Sequence, residues 1–162
     1  MAAFSAVWGY AAFRHQSLAL SLTCAAIGGA LLALVLLQQR TVPKSVDPPE
    51  SNRKRKRDFW IVLVLEFVLI QVVVNVLINT GHATLLLPGI GLVVGLHFFP
   101  LASIFNAPAH YLTGALITIW SLAMFPLGLH ADVDLPTGIG VAAILFSAAL
   151  RVLFDARRRL AL

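Results

Sequence analysis

The stretch RKRKRDFWIVLVLEFVLIQVVVNVLIN, residues 53–79, decides the fold. Five consecutive cations, Arg53, Lys54, Arg55, Lys56 and Arg57, run straight into a long apolar segment. From Phe59 to Asn79 the only ionisable residue is Glu66. A run of about 20 mostly apolar residues is what crosses a bilayer core. Cations packed against one end of such a run mark its cytoplasmic end.

Working outward, the pattern repeats. Apolar runs predict spans at about 17–37, 59–79, 84–105, 110–129 and 138–154. Residues 38–58 predict a flexible basic cytoplasmic loop, with Pro43, Pro48 and Pro49 before the cations. Thr80–Ala83 and Asn106–Pro108 read as turns, and His130–Thr137 as an acidic loop. Residues 1–16 hold Trp8 and Tyr10, which suit an interfacial helix or a lead-in to the first span. A cleaved signal peptide is not expected, because the apolar run is too long and the heavier positive charge follows it. The chain is 59% hydrophobic and 12% charged, against about 25% charged in soluble domains. A single all-α integral-membrane domain follows, residues 1–162.

Charge orients it. Of twelve Lys and Arg, seven lie in the 38–58 loop (Arg40, Lys44 and Arg53–Arg57) and four close the chain (Arg151, Arg157, Arg158 and Arg159). Five spans put these eleven on one side, with the N-terminus outside and the C-terminus inside. Arg14 alone stands apart. The same logic assigns Arg53–Arg57 to anionic lipid rather than nucleic acid. Membrane lipid is the expected partner.

Small residues recur at helical spacing, which lets backbones approach closely in lipid. Span one has Ser17, Ser21, Ala25 and Gly29; span three has Gly91 and Gly95; span four has His110, Gly114, Thr118 and Ser121. Span five aligns Gly140, Ala143, Ser147 and Arg151. All can pack the bundle, and the faces of Gly91 and Gly95 or Ser17–Gly29 could also receive a second copy or a membrane partner. Span two has no such stripe. It carries Gln71, Asn75 and Asn79 on one face, with Glu66 about 180° from Asn75. Polar groups on two faces predict a central helix contacted from both sides.

An ionisable residue inside a span is a functional-site hypothesis by default. Glu66 lies about 10 Å from the inner end of its span, His97 about 12 Å and Arg151 about 5 Å, with His110 at the same end of span four. These groups, with Gln71 and Asn75, predict either an inner-leaflet polar pocket for a ligand or an exchangeable proton, or a structural cluster holding the bundle together. Other chemistry has no motif. Cys24 is the only cysteine, so no thiolate metal site is expected. His130, Asp132 and Asp134 offer weak metal-ligand spacing, better read as a solvated loop. No nucleophile–base pattern or phosphate loop appears, so an enzyme is not expected. No cofactor is indicated.

The segment Gly95-Leu-His-Phe-Phe-Pro-Leu-Ala102, continuing to Ala109-His-Tyr-Leu-Thr-Gly114, resembles a motif of small uncharacterised bacterial multi-pass inner-membrane proteins. The resemblance implies a bacterial inner-membrane location and singles out His97, Pro100 and Gly114. It carries no activity. The reading that follows is a small membrane protein that binds or transports a small or lipophilic ligand, or a proton-coupled solute. The alternative is a non-catalytic subunit docking a partner.

Overall fold

A computed structural model describes residues 49–160, and every regular element among them is helical. They are α1 (Pro49–Asn79), a 3-10 turn (Ala83–Leu85), α2 (Leu86–Phe105), α3 (Pro108–Gly128) and α4 (Asp134–Leu160). Four stretches are long and apolar enough to cross a membrane: Asn52–Asn79, Ala83–Phe105, Pro108–Gly128 and Asp134–Val152. This is the composition of a multi-pass membrane protein, in which helices satisfy their own backbone groups where water is absent. The expected first span, 17–37, and the interfacial stretch 1–16 lie outside the described residues, as do Ser17, Ser21, Ala25 and Gly29.

Two boundaries differ from expectation. The basic segment is not a loop up to residue 58: α1 begins at Pro49 and carries Arg53–Arg57 as helix. Proline suits a first helical turn, where its fixed φ fits and its missing N–H removes no helical bond. The acidic loop is also shorter, because Asp134 opens α4 and its backbone N–H donates to the Asp132 carboxylate at 2.9 Å.

The helix ends explain the tight connections. Gly81 has φ 76°, the His82 N–H donates to the Leu77 carbonyl at 2.8 Å, and the Gly81 N–H to that of Ile78 at 3.1 Å. This is the left-handed glycine closure of a helix. Asn106 repeats it at φ 47°, with the Ala107 N–H donating to the Ala102 carbonyl at 3.0 Å, and Pro108 then starts α3. Each turn reverses the chain within a few residues, so α1, α2 and α3 run antiparallel in order.

The described residues up to Thr137 form one compact unit, and from Gly138 onward α4 belongs to another. In the first unit α2 is the middle helix, packed on α1 and on α3. Gly89 of α2 faces Val73 and Leu77 of α1, while Gly95 faces Thr118 of α3. Gly114 of α3 returns the contact against the Gly95 carbonyl and Phe98. Gly91 and Gly95, whose face could also receive a second copy or a membrane partner, are both buried. Beyond them the Thr84 hydroxyl donates to the Gly128 carbonyl at 2.7 Å, and Gly128 lies against Leu85 and Val133. The Trp120 indole N–H donates to the Pro136 carbonyl at 3.2 Å.

The central position expected for span two falls to α2 within this unit. α1 turns Val73, Leu77 and Glu66 toward α2 and leaves Phe67, Val68, Gln71, Val72 and Asn75 exposed. In α4, taken by itself, the small-residue stripe is not the buried face. Val141, Leu145 and Ala149 are buried at a spacing of four, whereas Ala143, Ser147 and Arg151 are exposed.

Candidate functional site

Glu66 sits seven residues beyond Phe59 on α1, and His97 on α2 lies opposite it. The carboxylate Oε2 and imidazole Nδ1 are 3.3 Å apart. Both side chains are almost wholly buried, at 6% and 8% exposure. Such burial of ionisable groups is costly unless they are paired. The pair is within ionic reach, but its alignment leaves His97 Nδ1 and the second carboxylate oxygen, Oε1, without a hydrogen bond.

These two groups line a groove of about 530 Å³ between α1 and α2. Its other walls are apolar: Val62, Leu65, Leu69 and Val73 from α1, Leu92 and Leu96 from α2, and Phe125 from α3, among others. Leu65, Leu69 and Leu96 remain about half exposed, so the groove opens along the α1–α2 seam. A cleft of this size, mostly apolar with a few polar groups, is the usual form of a small-molecule site.

One wall has a second polar feature. Pro100 lines the groove within α2. It has no N–H, so the Leu96 carbonyl lacks the donor that the helix would otherwise supply one turn later. Leu96, His97 and Pro100 share this wall, and Glu66 faces them from α1.

The remaining candidates separate. His110 packs its ring edge-to-face on Phe98 at 5.9 Å, and Phe98 meets His97 in the same way at 6.1 Å. The two imidazoles thus flank one buried phenyl ring, and His110 does not line the groove. Its Nδ1 is buried without a hydrogen bond. Gln71 and Asn75 lie on the exposed face of α1, where the Asn75 amide donates to the Gln71 carbonyl at 2.8 Å. They line a shallower depression with Phe67, Val68, Val72 and Val76, not the Glu66 groove. Arg151 is exposed on α4, in the other unit. His130 and Asp132 are exposed, and among the described residues no group of three His, Cys, Asp or Glu could hold a metal ion.

Sequence reasoning missed Phe125, which reaches the groove from α3, and the consequence of Pro100 for the Leu96 carbonyl. The second was accessible, because a proline inside an apolar span always removes one backbone donor. No known protein family, curated protein or solved structure matches this chain.

Proposed function

We propose that this is a five-span membrane protein whose α1–α2 groove binds a small lipophilic molecule, in support of its transport or sensing. The observation that carries the reading is the buried Glu66–His97 pair lining an otherwise apolar groove. Apolar walls favour a hydrocarbon body, and two polar groups at one place fix its orientation. The described spans also support the orientation read from charge. Four crossings from the Arg53–Arg57 segment return the chain to the same side for Arg157–Arg159, and a span at 17–37 then puts the N-terminus outside. Arg53–Arg57 lie at the level of anionic headgroups in that arrangement. The resemblance of Gly95–Ala102 to small bacterial multi-pass proteins points to a bacterial inner membrane.

The test uses the full chain in phosphatidylcholine nanodiscs and a photoactivatable dodecyl alcohol. Labelling is expected to concentrate on Leu65, Leu69 and Leu96 over the more exposed Ile119 of α3. Leu96→Trp, which fills the groove, removes that concentration. Even labelling of all exposed apolar residues would reject the groove as a binding site.

A second reading, a subunit docking a partner helix, has one observation in its favour. Gln71 and Asn75 are exposed within an apolar span, where amides facing lipid are costly and a neighbouring helix would receive them.

A further inference from the structure

We infer that the groove selects lipophilic amines in their cationic, N–H-bearing form, and that the ammonium group binds at the Glu66 carboxylate, beside the turn of α2 that Pro100 interrupts. This rests on the groove reading and names its ligand class.

Three observations carry it. Among the described residues, Glu66 and His97 are the polar side chains that line the groove. Glu66 Oε1 is buried and has no hydrogen bond, and Pro100, inside α2, has no N–H to offer the Leu96 carbonyl one turn before it. An ammonium group donates up to three hydrogen bonds and accepts none, so it complements this set. A carboxylic acid or phosphate ligand would bring more acceptors and a like charge against Glu66.

Charge balance points the same way. His97 is the titratable group facing Glu66 from α2, and α3 contributes only Phe125 to the groove. His110 of α3 is set against Phe98 instead. With no cation lining the groove among the described residues, a net negative charge on the pair would be poorly solvated. The empty pair stays neutral by holding one proton, on the carboxyl or on the imidazole. A bound ammonium supplies the compensating charge in its place, and that proton leaves to solvent. One cation enters and one proton departs, so no other ion is needed. The remaining walls are hydrocarbon and suit an alkyl or aryl body.

The experiment replaces the hydroxyl of the dodecyl photoprobe with a primary amine, again on the full chain in phosphatidylcholine nanodiscs. Charge-assisted hydrogen bonds contribute about 1.5–3 kcal/mol, so groove labelling by the amine should exceed that by the alcohol about tenfold or more. Glu66→Gln, nearly the same in shape, should bring groove labelling by the amine down to that by the alcohol measured in the same variant. Amine binding in weak buffer should release protons, and Glu66→Gln should release none. Equal groove labelling by amine and alcohol would overturn the cation inference while leaving the groove reading intact. An amine preference that survives Glu66→Gln would overturn the assigned recognition site. Concentration of neither probe in the groove would reject both readings.

Discussion

Substituting Gly95 by alanine tests whether α2 and α3 are held by backbone contact. A Cβ at Gly95 would lie 2.5 Å from Thr118 Oγ1, 2.8 Å from its backbone N and 3.1 Å from its Cα. Ordinary van der Waals contact begins at 3.4 Å. The hydroxyl must then retreat by about 0.9 Å and the backbone N by about 0.6 Å, distances that a well-packed interface resists. A hydroxyl can rotate away, but a helix backbone moves only with its helix. Overpacking of this kind costs about 1–3 kcal/mol. Alanine recovers about 0.5–1 kcal/mol of helix propensity, so the net expected loss is about 1–2 kcal/mol. Gly89 supplies the internal comparison. A Cβ there meets Val73 Cγ1 at 2.8 Å and Leu77 Cδ1 at 3.0 Å, side-chain rather than backbone atoms, of which the Leu77 end turns freely and the branched Val73 is stiffer. Gly89→Ala should therefore cost less than Gly95→Ala, about 1 kcal/mol or below. Unfolding titrations in mixed SDS micelles, followed by far-ultraviolet circular dichroism, give both values. If Gly95→Ala is no less stable than Gly89→Ala, backbone proximity does not hold α2 to α3.

Two further outcomes are expected in the same assay. His97→Ala leaves the buried Glu66 without its neighbour and should cost about 3 kcal/mol, most of which Glu66→Leu restores in the double variant; equal stability of the single and double variants would show that the pair is uncoupled. Asn106→Val places a β-branched residue at φ 47° and should cost about 1–2 kcal/mol, whereas Asn106→Gly stays within about 0.5 kcal/mol.

The helices after residue 58 were legible because lipid-crossing segments need an apolar run of fixed length, and Pro108 and Gly81 mark their ends. The start of α1 was not. Three prolines and a run of cations look like a loop, yet Pro49 fits a first helical turn and the cations after it are good helix formers. Depth counted along the helices placed Glu66 and His97 at one level, and the structure puts them 3.3 Å apart. The same count could not give azimuth relative to neighbours. Gln71 and Asn75 share a depth range with Glu66, but their helical angle sets them on another face. α4 misled for a different reason. Small residues at a spacing of four mark close approach only where a backbone comes near, and in α4 the buried stripe is Val141, Leu145 and Ala149.

The unbroken course of α1 has a mechanical consequence. Arg53 and Glu66 belong to one helix, thirteen residues or about 20 Å apart. A helix without an interruption between them transmits tilt as a rod does. Turning α1 by about 10° around Glu66 sweeps the Arg53 end through about 3.5 Å, at the 1.5 Å rise that gives this arm its length. Whatever widens or narrows the groove by moving α1 also displaces the five cations Arg53–Arg57 at its far end, and a force applied to those cations acts back on the groove with the same lever.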